Sequence, residues 1–364
     1  MIPLVPFIPT AIVTPALTLA EQAQLTALYR HGTPANTQRA YARDLLYITA
    51  WKAAALHLPL TWPETESTAL RFLLEHSRDL TTAPATDPAR QTADMLIRTG
   101  LRRSLNRPAP ATLDRRIASW RAFHRMQNLA SPFDAPLLKQ ARAKGRRSVG
   151  HGNLPKSAKP ITRDILLRLV ASAGPGLRGL RDRALLLLGW ASGGRRRAEI
   201  VSLDRADLDL SAFDTHGQVW LRLPGTKTTR PGQTPRLVLT GTAARAVVAW
   251  IDAAQITAGP LFRRISRTDR PGQHRLTPGA VALILQRLLL AAGLPADFAT
   301  PHGLRAGFLT QAARDGVQVQ AAMRLSLHRS VAQAQRYYDD VDLTDNPATR
   351  LLDLPIAAEK PLPR

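Results

Sequence analysis

Apolar residues recur at three- and four-residue steps over most of this chain, and β-prone runs are few and short. Over residues 37–56, Ala40, Tyr41, Leu45, Ile48 and Trp51 fall on one face of a helix, and Asn36-Thr37, just after the helix-breaking Pro34, offers N-cap chemistry. The helical pattern continues over residues 70–80, 92–105 and 112–126. In the last of these, Ile117, Trp120, Phe123 and His124 alternate with Arg115, Arg116, Arg121 and Arg125. A buried stripe and a basic outer face fit on one such helix. Further on, residues 162–173, 181–192 and 198–203 read as helices. Residues 219–223 and 236–239 are β-prone and flank PGTKTTRPGQTP, the pattern of a hairpin with a long loop. Helices resume at residues 241–254, 278–292, 302–315, 319–325 and 330–338. The predicted fold class is mainly α with a small β-sheet.

Between these halves, residues 141–160 (ARAKGRRSVGHGNLPKSAKP) are basic, rich in Gly, Ser and Pro, and almost without apolar periodicity, which marks a domain boundary. The expected organisation is a loose N-terminal arm (1–30), a helical domain (31–145), a basic linker (146–160), a second domain with helices and the sheet (161–345), and a C-terminal tail (346–364). The first twenty residues are apolar, but they lack a basic leading segment and contain Pro3, Pro6, Pro9 and Pro15. That composition argues against a signal peptide or a membrane helix. The next longest apolar stretch, residues 184–190, is too short to span a bilayer. A soluble cytoplasmic protein with no membrane partner is expected.

Charge narrows the partners. Fifty Lys and Arg against twenty-seven Asp and Glu give a formal charge of +23, and such an imbalance favours a polyanion such as nucleic acid over an ordinary mixed-sign surface. The absence of cysteine excludes disulfides, thiolate zinc sites and cysteine nucleophiles. Asp204, Asp207, Asp209 and Asp214 form a carboxylate group that a metal-dependent nuclease would use, but they lie in a helix-to-strand turn where cap and turn roles are the better reading. No metal and no cofactor are expected.

The chemistry concentrates near the C-terminus. His328 stands nine positions before Tyr337, and upstream lie His302-Gly303-Leu304-Arg305 and the GGRRRAEI stretch that contains Arg196. Two arginines neutralise a phosphate, two histidines move protons or donate hydrogen bonds, and a tyrosine takes a phosphoryl group as a covalent nucleophile. His302 and Arg305, three apart, share a helix face, and Pro301 suits the start of that helix. In one unbroken helix, nine residues rotate by about 900° and would set His328 and Tyr337 on opposite faces, roughly 13 Å apart. Ser330 with Gln333 forms a capping-box pattern, so a new helix is expected at Ser330, which leaves His328 in the preceding turn and allows the two to converge. A phenol of ordinary pKa about 10 needs a base and positive neighbours to act near neutrality. Arg196 and Arg305 are the candidates to stabilise the phosphorane-like charge, and Lys227, in the hairpin loop, to protonate a departing 5′ oxygen.

GWASGGRRRAEIVSLDRADLDL, LPGTKTTR, PHGLRAGF and LSLHRSVAQAQRYY, in this order and spacing, resemble the tyrosine recombinase family of phage integrases and Xer and Cre recombinases. The N-terminal half is more weakly similar, through TPANTQRAYARDLLYITAW and TLDRRIASWRAFHRMQ, to that family's helical core-binding domain. The resemblance implies that Arg196, Lys227, His302, Arg305, His328 and Tyr337 are catalytic, with Glu199 supporting the site. Arg195 and Arg197 fall on variable positions, and Tyr338 is one position out of register. It implies a 3′-phosphotyrosyl intermediate, site-specific recombination of double-stranded DNA, a clamp of two domains, and four protomers around two duplexes, with room for a second recombinase subunit. Arg39, Arg43, Arg115, Arg116, Arg121, Arg125, Arg146 and Arg147 are the candidate DNA contacts. Two departures stand out: Leu327 occupies the place of the family's glycine before the second histidine, and Arg195 that of an apolar residue. The alternatives are a DNA-binding accessory or regulatory protein of the same fold, and a type IB topoisomerase, which relaxes one duplex without a partner protomer.

Overall fold

The protein is described here by a computed structural model covering residues 17–148, 159–223, 234–328 and 330–339. It divides into two units, Met1–Asn153 and Leu154–Arg364. In the first, α1 (Leu19–Gly32) opens with a reciprocal cap: the Thr18 hydroxyl accepts from the Glu21 amide and the Glu21 carboxylate accepts from the Thr18 amide. The expected loose arm is therefore helical over these residues, although none of its side chains is buried. Its signature, Thr-x-x-Glu, was legible in the sequence and was missed because an exposed helix carries little apolar periodicity.

Next come α2 (Ala35–Leu56), α3 (Glu66–His76), α4 (Pro88–Arg98), α5 (Pro110–Met126) and α6 (Pro136–Ser148). Helix α2 begins on Pro34 with no side-chain cap; Asn36, the expected cap, instead accepts from Arg39 within the first turn. Helices α3 and α4 start four residues earlier than the apolar pattern indicates. Thr65 caps the first through the Thr68 amide, and Asp87 caps the second through the Ala89 and Arg90 amides, with Pro88 at the first helical position. Tyr47, Ile48 and Trp51 of α2, Phe72 of α3, Leu96 of α4, Ile117 and Trp120 of α5 and Leu138 of α6 form the core. Trp51 and Trp120 each meet Phe72 edge to face, at centroid distances of 4.8 and 5.4 Å.

Helix α6 corrects the linker reading. Arg142 and Arg146 both pair with Asp114 of α5, and these contacts, with Leu138 in the core, hold residues 141–148 as helix. The next part of the basic segment, residues 149–158, lies outside the described residues.

The second unit runs through α7 (Arg163–Ala171), α8 (Gly176–Ala191), α9 (Arg197–Ser202), β1 (Leu208–Asp209), α10 (Phe213–His216), β2 (Val219–Arg222), β3 (Arg236–Leu239), α11 (Gly241–Ala253), β4 (Arg263–Ile265), β5 (Pro271–Arg275), α12 (Pro278–Ala291), α13 (His302–Arg314), α14 (Val319–Ser326) and α15 (Val331–Asp339). Helix α8 is central: Ala184 to Leu188 are all buried, the mark of a helix with neighbours all round. Strands β1, β2 and β3 form an antiparallel sheet in that order, with Val219 opposite Leu239 and Arg222 opposite Arg236. The expected hairpin thus forms, and its loop, with Lys227, lies outside the described residues.

A second hairpin, β4–β5, was not anticipated. Its sequence, RRISRTDRPGQHR, shows no alternation because the strands are only partly buried. Its turn residue Asp269 accepts from the Leu177 and Arg178 amides at 2.8 and 3.2 Å and so caps α8. The carboxylate group takes turn and cap roles: Asp207 and Asp209 accept from the Asp204 and Ser211 amides, and Asp204 pairs with Arg275 at 2.6 Å. No helix among the described residues is long and apolar enough to cross a membrane.

Candidate active site

The site forms where the C-terminal end of α8 meets α9, α13, α14 and α15. Gly193 and Gly194 turn the chain at φ +94° and +70°, a region glycine enters without cost. Both also sit against other backbone. A Cβ on Gly193 would lie 2.4 Å from the Leu325 carbonyl, and one on Gly194 would lie 2.2 Å from Cα of Arg305. The turn therefore sets the arginine that follows it directly against α13 and the end of α14.

Arg196 precedes α9 and remains partly exposed, its side chain 39% accessible. Its Nη1 pairs with Glu199 Oε1 at 2.6 Å, while Glu199 Oε2 accepts from the Arg196 amide. Glu199 thus holds the guanidinium without closing it off from the cleft. Arg305 is buried on α13; its Nη1 donates to the Gly194 carbonyl at 3.3 Å and its Nε to Nε2 of His328 at 3.0 Å. Burial and the neighbouring charges of Arg195 and Arg196 lower its pKa to about 10, still far above neutrality, so it stays a cation. His302, the first residue of α13, lies behind Pro301 as anticipated.

Helix α14 ends at Ser326, and its C-cap Leu327 takes the left-handed conformation with φ 54°. A leucine enters this region at a steric cost that glycine would not carry. His328 follows, and α15 begins at Val331, with the Gln333 and Ala334 amides on the Ser330 carbonyl. The break between the two helices brings the rings of His328 and Tyr337 to 6.3 Å between centroids. The Tyr337 hydroxyl lies 3.4 Å from Nε2 of His302. Tyr338 points elsewhere, its hydroxyl donating to the Val317 carbonyl at 3.0 Å. Burial, then the charges of Arg305, Arg196, Arg195 and His302, lower the His328 pKa to about 4, so its ring is neutral at pH 7. Arg195, Arg196, Arg197, Thr300, Pro301, His302 and Arg305 line a cleft of about 370 Å³.

Two residues were missed. Arg195, set aside as a variable neighbour, is 1% exposed and donates to the Leu325 carbonyl at 2.6 Å, with Glu199 3.8 Å away. It ties the α8–α9 turn to the end of α14. Ser326 contacts His328 through its hydroxyl. Nothing in three adjacent arginines marks which one turns inward, and a lone serine at a helix end carries no signal.

Residues 159–343 match the phage integrase family. The chain belongs to this family. An integrase/recombinase XerD homologue of Selenomonas ruminantium is 33% identical over 182 residues, 48% of this chain and 52% of the relative. Tyrosine recombinase XerC of Pelotomaculum thermopropionicum is 29% identical over 241 residues, 63% of this chain and 70% of the relative. The chain spans about half the length of the first of these relatives. In fold, this phage integrase family member is similar to the Tn1549 transposon integrase in complex with transposon right end DNA, with a TM-score of 0.55, 14% identity and coverage of 90% of this chain and 97% of that one. It is also similar to XerH site-specific recombinase bound to difH substrate, with a TM-score of 0.51, 15% identity and coverage of 91% and 84%.

The N-terminal candidates separate by environment. Arg39, Arg43, Arg115, Arg125, Arg146 and Arg147 are exposed, and Arg121 is half-buried. Arg115 pairs with Asp44, Arg121 with Asp134 and Arg146 with Asp114. Arg116 is a correction: it is buried, with its guanidinium 3.3 Å from the centroid of the Tyr47 ring, and so faces the core rather than a ligand.

Proposed function

We propose that this phage integrase family member is a site-specific DNA recombinase or integrase that cuts and rejoins strands through a 3′-phosphotyrosyl intermediate without a divalent metal. The observation that carries the reading is the Tyr337 hydroxyl, 3.4 Å from Nε2 of His302, beside a cleft lined by Arg196 and Arg305. In the cleavage step, Nε2 of His302 accepts the phenol proton while Oη attacks phosphorus. The O–P bond to Tyr337 forms, the bond to the 5′ oxygen breaks, and that oxygen takes a proton from Lys227. Arg196 and Arg305 stabilise the charge gathering on the non-bridging oxygens, the task a metal performs in other phosphotransferases. Rejoining is the reverse with a new 5′ hydroxyl, so the phosphodiester energy is kept in the phosphotyrosyl bond.

Double-stranded DNA is the substrate in this reading, bound by the second unit as catalytic domain and the first as core-binding domain, with four protomers on two duplexes. The names of the Xer relatives and of the DNA-bound neighbours support recombination and DNA as substrate. A cytoplasmic location is part of this reading. The test is capture of denaturant-resistant protein–DNA adducts in EDTA on fragmented DNA from the source organism, comparing wild type with Tyr337→Phe. Recurrent ends trapped by wild type alone are expected. Strong binding without any adduct would point to the accessory or regulatory reading, and relaxation of a supercoiled plasmid without exchange to the topoisomerase reading.

A further inference from the structure

Ser326 closes α14 and is 0% exposed, and its hydroxyl lies 2.8 Å from Nδ1 of His328. Across the ring, Nε of Arg305 lies 3.0 Å from Nε2. The Nε–H of arginine can only donate. Nε2 of His328 is therefore the acceptor and carries no proton. In the neutral ring the proton then resides on Nδ1, and that N–H donates to Ser326 Oγ.

We propose that Ser326 is a positioning residue of the cleft: by accepting from the Nδ1–H that Arg305 favours, it stabilises that form of His328 and holds the bare Nε2 where it orients the Arg305 guanidinium. The neutral imidazole in water favours the opposite form, with its proton on Nε2. In this site that proton would face the Nε–H of Arg305, donor against donor. Arg305 disfavours that form, and Ser326 gives the Nδ1 proton the buried acceptor it would otherwise lack. The charged and titratable groups acting on the ring are Arg195 and Arg196 from the α8–α9 turn, His302 and Arg305 of α13, and Tyr337 of α15, whose ring lies 6.3 Å away. The cations among them disfavour protonation of the ring, which leaves the choice between its two neutral forms to hydrogen bonding.

The consequence falls on Arg305. Its Nε is fixed on His328 and its Nη1 on the Gly194 carbonyl at 3.3 Å, so the plane of the guanidinium is set before a phosphate arrives. Donors aimed in advance are the ones that accelerate a charge-building step. Ser326 does this without touching the phosphate, as partners behind a metal-bound histidine fix its tautomer.

The proton position on His328 needs no substrate; only its effect on cleavage rests on the proposed recombinase activity. The experiment is nitrogen-15 NMR of the histidine rings in the full chain at pH 7, with the His328 signals identified by their loss in His328→Gln. The expected result is a protonated Nδ1 and a bare Nε2 in wild type, moving toward the Nε2–H form in Ser326→Ala. Adduct formation by that variant should fall about tenfold to a hundredfold, the scale for misplacing a group near the chemistry. Ser326→Ala removes a single buried oxygen and leaves the volume of the helix end almost unchanged. A wild-type ring protonated on Nε2, or one whose form is the same in both proteins, would overturn the proposal. Should the tautomer move while wild type forms no adduct, the Ser326 assignment stands and the recombinase reading is the one that fails.

Discussion

Arg195, Arg196 and Arg197 are adjacent in the chain and occupy three environments: buried beneath the cleft, paired with Glu199 at its wall, and exposed. The same separation of neighbours holds for the two tyrosines, since only Tyr337 reaches His302. Tyr337→Phe should abolish the covalent adduct with DNA affinity nearly unchanged, whereas Tyr338→Phe should keep adduct formation within a few-fold of wild type. Adducts that disappear in the Tyr338 variant alone would reverse the assignment. Replacing Arg196 or Arg305 with alanine should slow cleavage by at least about a hundredfold, the scale of removing one oxyanion donor; near-normal single-turnover rates would remove these guanidiniums from the mechanism. Most of these site residues were legible because residue type and spacing carry the chemistry. Arg195 and Ser326 were not, since their roles arise from what lies across the fold from them.

At the scale of elements, the site depends on one turn and one helix break. Gly194→Ala would place a methyl group against the Arg305 backbone at 2.2 Å in a left-handed turn. It should destabilise the protein by about 2 kcal/mol or more, from strain and overpacking together. It should also cut cleavage in proportion to the displacement of Arg305. Denaturant midpoints and single-turnover rates equal to wild type would show that the turn can yield. The helix break between His328 and Tyr337 was predictable from Ser330 and Gln333. The apolar pattern alone starts α3 and α4 too late, because Thr65 and Asp87 fix those starts ahead of the first apolar residues. The last turns of α6 look like linker in sequence because its outer face is basic and only a few of its residues enter the core.

For the whole molecule, the charge of +23 predicts DNA affinity that falls about a thousandfold between 50 and 200 mM salt, as for a protein making several phosphate contacts; filter binding over that range checks it, and a flat response would contradict phosphate-dominated binding. Stability should depend on pH through the core of the first unit. His76 lies there with Nδ1 on the Phe72 carbonyl at 2.7 Å and Nε2 accepting from the Tyr47 hydroxyl at 2.8 Å. Burial first, and the charges of Arg116 and Arg102 with it, lower its pKa from 6.5 to about 3. As pH falls below 6.5 the unfolded ring gains a proton that the folded ring refuses, so stability is lost with acid. Between pH 6.5 and 5 the loss should be about 1.6 kcal/mol, since the slope approaches 1.36 kcal/mol per pH unit only well below 6.5. Urea unfolding of wild type and His76→Gln at both pH values tests this, since the variant should lack that part of the slope.

By itself the sequence determined the mainly helical class, the two-part organisation, the basic character and six catalytic candidates, because periodicity, charge and motif spacing are properties of the chain read locally. Tertiary structure alone decided that Arg116 turns into the core, that Arg195 turns under the cleft, that the β4–β5 turn caps α8, and that Arg305 and Ser326 meet His328 at opposite ring nitrogens. Each of these rests on a partner far away in the chain, across 23 residues for Arg305 and His328 and across 130 for Arg195 and Leu325. Burial and hydrogen-bond direction are set by such partners, and no local pattern encodes them.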